Sequence, residues 1–147
     1  MPDQQPRPSS HFRLNLGGHQ NIGVFRECAG LDSETQVIEH KAVDANGLPF
    51  IRKVPGATKW SNITLKRGVD ENLDLWKWRD VVIKQGPDSA RIDGTVELID
   101  YDGSTIATYA FAQGWPIKYA GSSLNANANE VAIEELQICH EGLERTN

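Results

Sequence analysis

Two-residue alternation restricts this chain more than any other feature. In HFRLNL, Phe12, Leu14 and Leu16 fall on one side of an extended backbone, with His11, Arg13 and Asn15 on the other. That is the period of a strand buried on one face. It returns in TKWSNITLKRG, where Ile63 and Leu65 oppose Asn62, Thr64 and Lys66, and in ARIDGTVELID, where Ile92, Val96 and Leu98 oppose Asp93, Thr95 and Glu97. Repeated alternation of this kind predicts antiparallel sheets with one covered and one wet face.

Turn signals order the remaining strands. NIGVFRECAGL follows the Gly17-Gly18 turn and ETQVIEHKA follows a second turn near Gly30 to Ser33, so the first three strands read as a meander. Beyond the YDGS turn, STIATYAFAQGWPIKYAG is the return arm of a long hairpin, with Tyr109 and Phe111 on the core face and a kink or bulge at Gly114 to Pro116. In NEVAIEELQICHEG, Val131 and Ile133 are out of phase with Leu136 and Ile138. This predicts a bulge, or a move between sheets, at Glu134-Glu135.

One segment carries a helical period. DENLDLWKWRDVVIKQG is expected to form about four turns, N-capped by Asp70 and ending near Gly86-Pro87. Leu75, Trp78 and Val82 make one stripe, and Leu73, Trp76 and Ile83 make another. A helix lying on a single sheet needs only the first, so the second points to a covering loop or another subunit. Residues 43–58, VDANGLPFIRKVPGAT, hold two glycines, two prolines and an Asn-Gly pair, which predicts a long irregular loop. Loops of that length are usually functional or ordered by a partner.

The 147 residues suffice for one domain, taken as 11–147 behind a flexible N-terminal arm at 1–10. No apolar run approaches the ~20 residues of a membrane-spanning helix, so no membrane insertion is expected. MPDQQPRPSS lacks the basic-then-apolar pattern of a secretory signal, and the expectation is assembly in the cytoplasm without a signal peptide. Cys28 and Cys139 sit in apolar segments without CxxC spacing and read as free thiols. A net charge of -5 argues against a phosphate-backbone binder, because such proteins cluster Lys and Arg.

Catalytic and metal patterns are missing from the spacing. His11, His19, His40 and His140 are scattered, with no HxH or HExxH pair. Asp100 and Asp102 fit a hairpin turn better than a calcium loop, which needs further oxygen ligands and a closing Glu. Glu134 and Glu135 are adjacent, so on a strand they point to opposite faces and cannot share a substrate. Neither GxGxxG nor GxxxxGK[ST] occurs. No catalytic residue, cofactor or metal is expected, and the chain does not read as an enzyme. Trp76, Trp78 and Trp115 read as core or subunit contacts rather than as stacking platforms for bases or sugars.

FRECAGLDSETQVIEHKA, VPGATKWSNITLKRG, DLWKW and GWPIKYAGSSLNANANEVAIEELQICHEGL, in that order, resemble the tail-tube proteins of contractile-tailed phages. Among these the chain looks closest to the inner-tube proteins of phage-tail-like contractile injection systems. The likeness runs from about His11 to Leu143, and Pro55-Gly56 with Leu65-Lys66-Arg67-Gly68, Trp76-x-Trp78, Gly114-Trp115-Pro116 and the terminal run from Glu135-Leu136 to Glu141-Gly142 carry most of it.

The resemblance implies a mainly β fold: two packed antiparallel sheets, as a sandwich or partly closed barrel, with one flanking α-helix. It further implies hexameric rings whose sheets join into one continuous barrel, stacked into a hollow tube for cargo delivery. The implied partners are further copies of the chain, a surrounding sheath protein, baseplate and tube-cap proteins, and cargo in the lumen. Residues 43–58 would then reach neighbouring subunits, and Pro49, Phe50, Pro55, Gly56, Trp60, Lys66, Arg67, Trp76, Trp78 and Trp115 are the expected interface set. Lys66 and Arg67 would meet acidic groups at a junction, or else merely solvate a strand end. Glu34, Glu39, Asp93, Glu97 and Glu134 or Glu135 are the expected lumen-facing carboxylates. The competing readings are a monomeric β-barrel that binds a small ligand, an enzyme with an unrecognised site, and a ring that initiates or terminates a tube.

Overall fold

The computed structural model describes residues 11–17, 19–69, 72–121 and 132–147. β1 (His11–Leu16) pairs antiparallel with β2 (His19–Phe25) on one side and with β7 (Ile92–Ile99) on the other. Its alternation holds, because Leu14 and Leu16 are buried. The second expected strand is cut in two. The chain bends at Arg26 and continues as β3 (Glu27–Ala29), which leaves β1 to pair with β6 (Ile63–Gly68).

The longest strand, β8 (Thr105–Gly121), organises the body. Its first half pairs with β7 and with β10 (Gly142–Arg145), and its second half with β9 (Ile133–Cys139). The change of partner falls where Gly114 to Pro116 were expected to kink the chain: Gln113 has φ 54°, and the register with β9 shifts between Pro116 and Lys118. Two sheets, β2-β1-β7-β8-β10 and β8-β9-β6-β3, are thus joined through one bent strand. Their far edges are also linked, since β2 and β3 are successive halves of one stretch and the Arg26 N–H donates to Lys66 O at 3.0 Å. The result is a partly closed barrel filled by Leu14, Phe25, Leu65, Val96, Phe111, Leu136 and their neighbours.

α1 (Asp74–Gln85) packs across β8 and β2 with Leu75 fully buried. It is shorter than expected. Its first turn begins after Asn72, whose Oδ1 accepts the Asp74 N–H at 2.8 Å while its Nδ2 donates to Ile22 O at 3.2 Å. Asp70, the expected cap, lies outside the described residues, and the N-cap position falls at Leu73. Gly86, at φ 91°, ends the helix, and Pro87 opens the single-turn α2 (Pro87–Ala90), which the sequence reading did not foresee.

Two further expectations are corrected. β9 has no change of phase: Glu134, Leu136 and Ile138 all point inward, so one of the two adjacent carboxylates, Glu134, occupies a core position. Val131 lies outside the described residues. The second correction concerns residues 43–58, which are not an irregular loop. β4 (Ser33–Val43) and β5 (Pro49–Trp60) form a long antiparallel hairpin joined only through residues 44–48. It is a separate two-stranded sheet rather than a continuation of a meander.

Candidate functional site

The hairpin arm is built by its turn. Asp44 Oδ1 accepts N–H bonds from Asn46 and Leu48, each at 2.9 Å, and Gly47 supplies the required positive φ of 79°. Asn46-Gly47, read as a breaker, is a hairpin signal. The prolines do not interrupt pairing: Pro49 begins its strand, and Pro55 sits at the bulge where the register shifts between Thr35 and Val37. Thr35 and Thr58 share a hydroxyl hydrogen bond of 3.0 Å across the pair.

Among the described residues no layer covers the arm. Val37, Ile38, Val43, Leu48, Phe50 and Ile51 are all more than two-fifths exposed, and β4 and β5 pack chiefly on each other. Cross-strand partners share a face. One face therefore carries Val43, Pro49, Lys41, Ile51, Glu39 and Lys53, while the other carries Ala42, Phe50, His40, Arg52, Ile38 and Val54. Apolar groups on both faces of a two-stranded ribbon are not stable alone in water.

At the arm's root Trp60 tilts against His140, with ring centroids 6.1 Å apart. His140 is buried, its Nδ1 3.1 Å from Gly142 O and its Nε2 3.1 Å from Ser61 O, so it ties the end of the arm to the β9–β10 corner. No spacing pattern had singled out this histidine, because both of its partners are backbone carbonyls.

Behind the arm, Arg67 lies inside the barrel wall. It is the direct cross-strand neighbour of Glu134, and its Nε donates to Glu134 Oε1. Glu134 Oε2 accepts from the Tyr119 hydroxyl, and the guanidinium also rests 5.3 Å from the Phe25 ring centroid. Burial first, and then the hydrogen bond to Glu134, push the Tyr119 phenol up to about 12. Arg67 was expected to meet acidic groups of a neighbouring subunit. One acidic partner, Glu134, is in its own chain, because β6 and β9 pair in a register that places the two opposite each other. Glu134 is correspondingly buried within its own barrel. Lys66, on the outward face, lies 3.8 Å from Glu27.

The other expected interface residues separate into three groups. Pro49, Phe50, Pro55 and Gly56 lie together on the arm. Trp76 is more than half exposed and stands edge-on to Tyr119 at 5.2 Å, beside exposed Leu73 and Ile83, so the second helical stripe is present and uncovered. Trp78 instead turns inward, its Nε1 donating to Ala90 O at 2.9 Å, and Trp115 is half-buried with the Arg91 guanidinium 5.9 Å above its ring. Among the expected lumen carboxylates, Glu34 and Glu39 belong to the arm rather than the body. Glu97 is held by Asn15 and Thr105, Asp93 Oδ1 accepts the Gln113 N–H at 3.0 Å, and Glu135 is half-buried on β9.

Cys28 and Cys139 are free and partly buried, and burial raises the Cys28 thiol to about 12. Among the described residues no group of three His, Cys, Asp or Glu side chains is placed to hold a metal, and no helix is long and apolar enough to cross a membrane.

The architecture has solved counterparts. The chain is similar to a protein of the sheath-tube complex of an extracellular contractile injection system, PVC, in the extended state, at 25% identity and TM-score 0.78 over 97% of this chain and 93% of that one. It is similar to the tube-terminating cap of the anti-feeding prophage at 24% identity and TM-score 0.78, over 100% of this chain and 95% of that one. The fold extends to Hcp1 from Flavobacterium johnsoniae at 17% identity and TM-score 0.55, over 93% and 95% of the two chains. A comparison with curated protein sequences finds no match. The model of the T4-like virus tail tube protein gp19 family matches residues 8–144, nearly the whole chain, and the protein belongs to that family.

Proposed function

We propose that the chain is the structural, non-catalytic subunit of the inner tube of a contractile tail or injection particle, forming hexameric rings that stack into a hollow conduit for cargo. The observation that carries this reading is the β4–β5 arm, a ribbon apolar on both faces that its own barrel leaves exposed. Such a ribbon is stable only when another surface covers it, and in a ring or tube of identical chains that surface is always supplied. Family membership and the likeness to tube proteins support the same reading.

Sheath, cap and baseplate proteins are the proposed partners, supported by relatives solved within a sheath-tube complex, a tube-terminating cap and a baseplate. Assembly would take place in the cytoplasm, and the subunit would leave as part of the particle. If the lumen wall is acidic, Glu135 contributes to it and buried Glu134 does not.

Light scattering on the size-excluded protein, followed by negative-stain imaging of the same peak, tests the proposal. Hollow rings or stacked tubes are expected. A chain that stays monomeric even with the baseplate components of its own particle would overturn the tube in favour of a monomeric barrel.

A further inference from the structure

His140 spans the junction between arm and body. Ser61 and Asn62, between β5 and β6, belong to no strand, and the Ser61 N–H reaches Asp32 O only at 3.4 Å. The Ser61 carbonyl oxygen lies 3.1 Å from His140 Nε2, and the other ring nitrogen, Nδ1, lies 3.1 Å from Gly142 O. A carbonyl oxygen only accepts, so both bonds form only when both ring nitrogens carry a proton. A neutral imidazole has one N–H, and its bare nitrogen sets a lone pair against the second carbonyl. His140 is 8% exposed and flanked by the rings of Trp60 and Phe111, with centroids 6.1 Å and 6.3 Å away, so water has little access to replace the lost bond.

Neither protonation state suits the site fully. The imidazolium satisfies both carbonyls but is a charge out of water, and among the described residues no carboxylate lies within ion-pair distance of it. The titratable and charged groups beside it are Lys59 on β5, Tyr109 on β8, Cys139 on β9, Glu141 at the corner, and Glu144 and Arg145 on β10. Glu141 is turned instead to Arg91, at 3.2 Å. The neutral ring avoids the charge but forfeits a bond. A group opposed in each state by a different cost is one that pH moves between the two. We propose that His140 is a proton-operated latch on the hairpin arm. With both nitrogens protonated it ties Ser61 to Gly142, and on losing a proton it keeps Gly142 and releases Ser61. The Gly142 bond spans two residues of a corner already fixed by the Glu141 N–H on Ala112 O at 2.9 Å, whereas the Ser61 bond closes across 79 positions between separate elements. The arm's root is therefore held more firmly on the acid side of the imidazole range than on the alkaline side. The latch works within one chain and does not depend on ring or tube assembly.

Hydrogen–deuterium exchange of the full chain tests this, below the concentration at which it assembles, at about pH 5 and about pH 8 and corrected for the intrinsic pH dependence of exchange. Protection of peptides covering Lys59 to Ile63 is expected to fall by about fivefold from the lower to the higher pH, the loss of one hydrogen bond, and protection of β7 peptides by less than about twofold. In His140→Gln, whose side chain does not titrate, the root is expected to show no such fall. Nitrogen-15 spectra of the parent's His140 ring follow the same event without a variant. They should show two protonated nitrogens on the acid side and Nδ1–H alone on the alkaline side. Root protection equal at the two pH values, a fall that persists in His140→Gln, or an alkaline ring protonated at Nε2 would overturn the latch. Each measurement is made on unassembled chain, so a failure of tube assembly is scored separately.

Discussion

Arg67 and Glu134 form an ion pair inside the barrel wall, with side chains only 5% and 6% exposed. A pair so placed is held by its surroundings as much as by mutual attraction. Tyr119 satisfies the second carboxylate oxygen, and the Phe25 ring lies close to the guanidinium. Buried pairs contribute little net stability compared with a well-packed apolar substitute, but removing one partner strands a charge.

Arg67→Met is therefore expected to cost about 3–5 kcal/mol in chemical denaturation, because Glu134 is left unpaired in the core. Arg67→Met combined with Glu134→Leu should recover most of that loss. If the double variant is as unstable as the single one, the pair is not the origin of the cost.

Tyr119 gives the protein an alkaline limit. Its folded-state pKa, about 12, is above the ordinary tyrosine value, so the folded protein favours the neutral phenol. The sign follows from linkage: this contribution is fully present below about pH 10 and is lost as pH rises toward 12. Unfolding midpoints measured between pH 9 and 12 should fall less steeply in Tyr119→Phe than in the parent. A parallel fall in both would exclude Tyr119 as the source.

Phe111 leaves no room for a methyl group on either side. A Cβ at Gly114 would stand 2.3 Å from its ring, and one at Gly94 would stand 2.5 Å from it. Because the ring is buried between them, Gly114→Ala and Gly94→Ala are each expected to destabilise by about 1–3 kcal/mol through overpacking. Thermal or urea unfolding measures this directly.

Phe50→Asp on the arm should separate folding from assembly. The side chain is two-fifths exposed and belongs to no core, so the monomer's unfolding free energy is expected to stay within about 0.5 kcal/mol of the parent. Rings or tubes in negative stain should be lost. Normal tubes would show that this face of the arm is not buried in the assembly.

Cys28 should be slow to react. Burial holds its thiol neutral at pH 8, and the thiolate is the nucleophile, so alkylation of the folded chain at that position is expected to lag behind the unfolded chain by more than tenfold. Peptide mass mapping after a timed iodoacetamide pulse distinguishes it from Cys139.

The sequence by itself determined the local elements. Alternation in HFRLNL and NITLKRG placed two strands and their buried faces, and in IDGTVELI it placed a third strand and buried Val96, but a register shift after Leu98 buries Ile99 as well and leaves Ile92 and Leu98 half-buried. The two stripes of the tryptophan helix placed one face on the barrel and left the other exposed. These were legible because side-chain period is a property of a few consecutive residues. Tertiary structure decided the rest. Which of the adjacent Glu134 and Glu135 is buried is decided only when β6 sets Arg67 opposite Glu134 across 67 positions of sequence. Residues 43–58 read as a loop because glycine and proline lower strand propensity, while pairing with β4 and the Asp44 turn supply the hydrogen bonds that make it a ribbon. The division of one expected strand at Arg26, and the passage of β8 between sheets, depend likewise on which distant backbone is there to accept each N–H.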